Sequence, residues 1–390
     1  MKIEHALRMD NVDGHFLAKQ QEKIKELDSL GKAVINLGRG NPDQPTFSNI
    51  VKEFENFSKK EENFGYPPYG GKDSLKEAII DFYKKEYGVS LSIDEVTIFS
   101  GSLSALTALP MVLANPGDSI LIPNPSFFAY ATGAKMAGAN IIHMDLTAEN
   151  DYFPDFKELS SGDLNKVKMM FLNYPNNPTG AGATEEFFTD VVEFAEKNDI
   201  VVVHDFAYAD ISFERKAPSF LQAKKAKSVG IEIYTLSKTF NMAGWRIAFA
   251  VGNKEVIGLL NRYIRASVGG TFGAIQDAAA FGLKNTVEDR QELQLLYKNR
   301  REVALSALPN SVEVSSSSGT FFLWLKLPYN WDDVKFVDEL LYEEQVALVP
   351  GSVFGTKGAG YVRLSLVSNT SEIVEGIRRL AAFIDKKQSV

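Results

Sequence analysis

The sequence predicts an α/β fold: a large domain with a mostly parallel seven-stranded sheet between helices, plus a smaller α+β domain. Three observations carry that expectation. A chain of 390 residues is too long for one core, because single cores stop growing below about 300 residues, so two domains are expected. From residue 70 to 285 the β-rich runs EVTIFS, SILIPN, NIIHMD, VKMMFLNY, DIVVVHD, EIYTLS and RIAFAVG alternate with helical patterns such as 74–87 and 185–197. Strands that alternate with helices build parallel sheets covered on both faces. After residue 286 the pattern changes, with a long charged helix over 288–308, strands at 321–327 and 361–366, and a final helix over 371–384.

No repeat, low-complexity tract or Pro/Gly/Ser linker interrupts the chain, so domain boundaries follow the elements. The large domain is placed at 44–285. The amphipathic stretch 17–30 can pack on the C-terminal region, which makes the small domain discontinuous, 1–43 with 286–390.

Composition excludes several classes of function. No apolar run approaches the roughly 20 residues of a membrane span, and the start MKIEHALRMDNVDGHF lacks the apolar core of a targeting signal, so a soluble, cytoplasmic protein is expected. The absence of cysteine removes disulfides, thiolate nucleophiles and sulfur-ligated metals, and it suits a reducing compartment. Four scattered histidines argue against a histidine-rich metal site, and no metal is expected. A net charge of -8 without a basic block argues against nucleic acid or an anionic membrane as the partner.

In an open parallel sheet, ligand-binding groups gather on the loops at the carboxyl ends of the strands. The run Ser100–Leu106 follows EVTIF and opens a helix, placing free N–H groups where a phosphate can sit, although such a turn alone is more often merely tight. VKMMFLNY runs into Pro175-Asn176-Asn177-Pro178-Thr179-Gly180. There Asn177 reads either as a rigid amide that donates to a ring oxygen or as an Asx turn. DIVVVHD ends in Asp205, with Tyr208 three residues on, and a carboxylate after an apolar run is costly unless a cation or metal awaits it. EIYTLSK supplies Thr235, Ser237 and Lys238, with Arg246 eight residues later. By itself this segment reads equally as a solvated lysine near a salt-bridging arginine. Together the four strand ends offer a phosphate cradle, an anion for a pyridine nitrogen, donors for a phenolic oxygen and an amine for an aldehyde.

These segments, with Tyr66-Pro67-Pro68-Tyr69-Gly70-Gly71, Asn124-Pro125-Ser126-Phe127 and Tyr361-Val362-Arg363-Leu364-Ser365, resemble the motif series of class I/II aminotransferases, which are fold type I pyridoxal-phosphate enzymes of the aspartate-aminotransferase-like fold. The match covers nearly the whole chain. MFLNYPNNPTGA and SKTFNMAGWRIAFAVGN are most similar to the branch that contains the LL-diaminopimelate aminotransferases. The resemblance implies pyridoxal 5'-phosphate, a Lys238 aldimine, and transfer of an amino group between an L-amino acid and a 2-oxo acid. It implies that Asp205 pairs with the pyridine nitrogen, that Asn177 and Tyr208 hold the phenolic oxygen, and that Phe127 stacks on the ring. The phosphate falls to Ser102 and Leu103 N–H groups, Thr235, Ser237, Arg246, and Tyr66 of a second subunit in a homodimer with shared active sites. Arg363 and Gly40 correspond to positions that meet the substrate α-carboxylate, with Asn177 beside them.

The match departs from the branch at three places. Diaminopimelate enzymes commonly carry lysine where Leu103 stands, the segment 266–271 lacks the polar residues relatives present to a neighbouring site, and His15 stands where tyrosine is frequent. A distal substrate carboxylate could be met by Arg39, while a smaller or apolar amino acid is equally compatible. The rival readings are a β-lyase using the same cofactor, which product analysis separates from transamination, and a ligand-sensing module of this fold, disfavoured by the missing basic face. A dehydrogenase lacks its G-x-G-x-x-G turn at Gly101.

Overall fold

The computed structural model describes residues 3–6, 8–9, 16–315 and 317–389; His15 lies outside the described residues. All seven β-rich runs form strands of one sheet: Val96–Phe99, Ser119–Asn124, Asn140–Asp145, Val167–Asn173, Val201–Asp205, Gly230–Thr235 and Ala248–Gly252. Their spatial order is 96–99, 248–252, 230–235, 201–205, 167–173, 119–124, 140–145. Neighbours run parallel except Ala248–Gly252, which is antiparallel to both strands beside it.

The runs are apolar throughout because helices cover both faces of the sheet. Alternation splits each strand between two cores. Met170, Leu172 and Val202 join Tyr83, Phe188 and Phe220 on one face, whereas Met169, Phe171 and Val203 join Leu106, Tyr130 and Leu260 on the other. The same alternation turns neighbours on one strand to opposite faces, so His204 and Asp205 belong to different cores.

The helices Asp73–Tyr87 and Glu185–Asn198 match the sequence pattern, as does Val287–Ala307. The helix that the run Ser100–Leu106 opens spans Ser102–Leu113 and continues through Pro110. Beyond the large sheet, Val349–Pro350, Tyr361–Ser365, Phe322–Lys326 and Glu313–Val314 form an antiparallel sheet in that order. Ile35–Asn36 pairs in parallel with Val346–Ala347, and the helix Phe16–Ser29 packs Ile24 and Leu27 against Leu341 and Ala347.

On the face away from Asp205, Glu232 is fully buried yet accepts from Tyr83 at 2.7 Å, Ser219 at 2.8 Å and the Phe220 N–H at 2.8 Å. His204 Nδ1 lies 2.7 Å from Oε2, the oxygen that the Phe220 N–H also reaches. Four donors replace water around this carboxylate, so its charge is satisfied. Glu232→Ala removes the acceptor and strands these groups in the core, which should lower unfolding free energy by about 3–5 kcal/mol in urea titrations. A loss under about 1 kcal/mol would mean that the network contributes little to the fold.

Candidate active site

A cavity of about 350 Å³ opens where the carboxyl ends of the central strands meet the second sheet, and it gathers Gly40, Ser102, Leu103, Phe127, Asn177, Asp205, Tyr208, Ser237, Lys238, Arg246 and Arg363. Each arrives from a different sequence position because parallel strands deliver their ends to one edge. Two proposed residues stand apart. Thr235 caps the short helix Leu236–Thr239, its Oγ1 accepting from the Ser237 N–H at 3.2 Å and donating to Ser237 Oγ at 2.8 Å. Its hydroxyl thus braces Ser237, which lines the cavity. Tyr66 is fully exposed at 103%, on a separate groove of about 770 Å³ that it shares with Phe57 and Phe281. Arg39 is exposed and does not line the cavity.

The strand Val201–Asp205 carries Asp205 to the cavity floor, 4% exposed. Tyr130 donates to Oδ2 at 2.8 Å, and Oδ1 has no hydrogen-bond partner. Burial raises this carboxyl to about 6, against the opposing Tyr130 hydrogen bond and the nearby positive charges. Asn173 braces the neighbourhood by donating Nδ2 to the Asp205 carbonyl at 2.7 Å and accepting the Asn177 N–H at 2.8 Å.

Lys238 donates Nζ to the Gly40 carbonyl at 2.6 Å. Burial first, then repulsion from Arg363, lowers its ammonium to about 8, while Asp205 works the other way. A lysine whose amine loses its proton more readily than usual can serve as nucleophile or base.

Arg363 is buried at 4% and has no carboxylate partner among the described residues. Its Nη1 donates to Asn177 Oδ1 at 2.8 Å and its Nη2 to the Gly38 carbonyl at 3.3 Å, and its plane lies 3.9 Å from the Phe322 ring and 4.8 Å from that of Phe354. Nε has no partner, and burial pushes the guanidinium down to about 10. Burial also raises the Tyr208 hydroxyl.

Arg246 donates to the Ala243 carbonyl at 2.9 Å and closes on Gly101, the residue before the helix Ser102–Leu113. A Cβ on Gly101 would come 2.2 Å from Arg246 Nη2, and its φ of +89° disfavours other residues as well. Only glycine lets the guanidinium and the helix N-terminus converge on one point, a combination that suits an anion. Three cations line the cavity against one carboxylate, so its field favours anionic ligands.

Sequence reasoning missed Tyr130, Asn173 and Phe322. Tyr130 had a readable signal: it follows Phe127 by three residues at the start of the helix Ala129–Met136, the spacing that shares a helix face.

Compared with known proteins, residues 32–380 match the family described as Aminotransferase class I and II. The chain is 42% identical to the Transaminase BacF of Bacillus subtilis, over 92% of this chain and 91% of that one. Apo-BacF superposes with a TM-score of 0.94 at 39% identity, covering 98% of both chains. It is 41% identical to the L-glutamine--4-(methylsulfanyl)-2-oxobutanoate aminotransferase of the same organism, over 97% and 96%. It is also 36% identical to the LL-diaminopimelate aminotransferase of Halothermothrix orenii, over 97% and 98%. The chain belongs to the class I and II aminotransferases and has their fold type I architecture. It is an aminotransferase of a family that in general depends on pyridoxal phosphate. The unpartnered Asp205 Oδ1 fits a protonated pyridine nitrogen, and the Gly101–Arg246 approach fits the phosphate.

The raised Asp205 carboxyl has a measurable consequence in the cofactor-free protein. Because its folded value of about 6 exceeds the ordinary 3.8, it favours the folded state fully below about pH 4 and loses that contribution as the pH rises through about 6. Asp205→Asn should therefore gain on wild type by about 3 kcal/mol between about pH 4 and 7 in denaturant titrations. A pH-independent difference would contradict the assigned burial.

Proposed function

We propose that the chain uses pyridoxal 5'-phosphate to move an amino group between an L-amino acid and a 2-oxo acid. The observation that carries this reading is the pair of unmatched buried charges, Asp205 Oδ1 and Arg363, with Lys238 in electrostatic range of both. When bound, the cofactor supplies an electron sink for the pair left behind as the substrate Cα loses its proton.

The protein residues divide the remaining work. Asp205 keeps the pyridine nitrogen protonated. Asn177 and Tyr208 hold the phenolic oxygen, and Phe127 covers one ring face. Ser102 and Leu103 N–H groups, Ser237 and Arg246 hold the phosphate, with Thr235 fixing Ser237 and Tyr66 reaching a second subunit. Arg363 grips the α-carboxylate beside Gly40, aided by its fixed hydrogen bond to Asn177 and its stacking on Phe322. Lys238 would hold the cofactor through its amine and, once released by substrate, would take the proton from the substrate Cα and return it where the reaction requires.

The same reading makes the protein a cytoplasmic homodimer, its domains divided as 44–285 and 1–43 with 286–390. The exposed Tyr66 beside an apolar groove supports a shared site. The relatives' names include a thioether-bearing oxo acid and a diamino dicarboxylate, so the family settles the reaction class and the cavity must select the side chain.

Borohydride reduction of the cofactor-loaded protein should fix the cofactor to the peptide carrying Lys238, as read by mass mapping. Label on another lysine, or a trappable adduct in Lys238→Ala, would refute the assignment. Arg363→Gln should lower kcat/KM at least about thirtyfold in steady-state assays, because a buried charge partner is worth about 2–5 kcal/mol. Mixing inactive Tyr66→Ala and Lys238→Ala subunits should restore some activity through hybrid dimers. Well-mixed heterodimers with none would argue against a shared site.

A further inference from the structure

The cavity's cations are all committed once the aminotransferase reading is accepted. Lys238 carries the cofactor, Arg246 sits at Gly101 and the helix N-terminus, and Arg363 takes the α-carboxylate. Among the described residues no fourth cation lines the cavity. Of the lining side chains without an assigned role, Asn41 is polar and donates Nδ2 to the Pro42 carbonyl, whereas two apolar members are leucines left partly open.

Leu103 stands in the first turn of Ser102–Leu113, is 41% exposed, and lines the cavity. Leu17 comes from the N-terminal helix Phe16–Ser29, whose inward stripe continues through Gln20, Ile24 and Leu27. Those three are buried, and Gln20 anchors the helix by donating to the Leu348 carbonyl at 2.7 Å. Leu17, three residues before Gln20, extends the stripe past its packing partners and over the cavity, and it stays 36% exposed. Helical spacing sets its direction, so this apolar surface faces whatever the cavity holds.

We propose that this chain accepts amino acids with an uncharged, apolar side chain, with Leu17 and Leu103 as specificity-determining contacts. The proposal rests on the aminotransferase reading and adds the substrate class to it. An apolar chain gains about tenfold or more in discrimination for each methylene it buries. A distal carboxylate would lose its water here without a cation to receive it.

The test loads the wild-type protein with pyridoxal phosphate and follows the cofactor absorption band after adding L-leucine, L-methionine, L-phenylalanine, L-aspartate, L-glutamate or LL-diaminopimelate. In parallel, the same band reports equilibrium binding of two non-reacting acids, 4-methylpentanoate and glutarate. The expected result is conversion by the apolar amino acids at least about tenfold more efficiently than by the acidic ones, and tighter binding of 4-methylpentanoate than of glutarate. Leu103→Lys and Leu17→Lys, both at partly exposed positions, should narrow or reverse the binding ratio by about tenfold or more. Preference for aspartate, glutamate or diaminopimelate in wild type would overturn the proposal, as would an unchanged ratio in both variants. Conversion by none of the apolar amino acids would likewise overturn the proposal, whereas failure of the protein to take up pyridoxal phosphate at all would overturn the cofactor reading beneath it.

Discussion

Buried charge in the central sheet is the constraint that the rest of the structure answers to, and two neighbouring strands handle it in opposite ways. On one face Glu232 receives donors from Tyr83, Ser219, Phe220 and His204, which replaces its hydration inside the protein. On the other face Asp205 receives one side-chain donor, Tyr130, and keeps an oxygen unmatched. A buried carboxylate left half-matched costs free energy, and among the described residues Asp205 is the one carboxylate with a buried unmatched oxygen. Stability accounts for the first arrangement, and the second is the kind expected where a cationic ring is proposed to bind.

The opposing charge is arranged by the same logic. Arg363 stacks on Phe322 and Phe354 and fixes its guanidinium by bonds to Asn177 and Gly38, none of which is an anion. Its orientation is thus set before any carboxylate arrives, so little entropy is lost on binding. Lys238 lies between these demands. Arg363 and burial press its amine toward neutrality, while Asp205 resists. The residues that position the reacting groups are also those that tune them.

Much of this was legible in the sequence because strand ends in a parallel sheet are local signals. Asp205, Lys238 and the turn at Asn177 each sit directly after an apolar run, and their roles could be inferred from the run and its terminator. Tyr130 was harder to read, since its hydroxyl matters only through contact with Asp205, 75 residues away in sequence. Glu232 reads as a polar interruption in EIYTLS, and nothing local reveals the four donors that converge on it from three segments. Thr235, expected at the phosphate, stands behind the cavity wall with its hydroxyl bonded to Ser237, which does line it. Short helices cap themselves with the nearest hydroxyl, and sequence alone does not say whether that hydroxyl is left over for a ligand.

One short segment beside the cavity is tied to the C-terminal part of the chain by strand pairing. Ile35–Asn36 pairs with Val346–Ala347. Immediately after it, the chain presents the Gly38 carbonyl to Arg363 and the Gly40 carbonyl to Lys238. A two-residue spacing thus ties the residue proposed to grip the substrate to the residue proposed to react with it. A carboxylate that settles on Arg363 competes with the Gly38 carbonyl for the same guanidinium, and any shift of that segment bears on the 2.6 Å bond from Lys238 to Gly40. Charge-assisted bonds to a carboxylate are stronger than those to a carbonyl, so a carboxylate at Arg363 would outcompete Gly38 for the guanidinium atoms the two share.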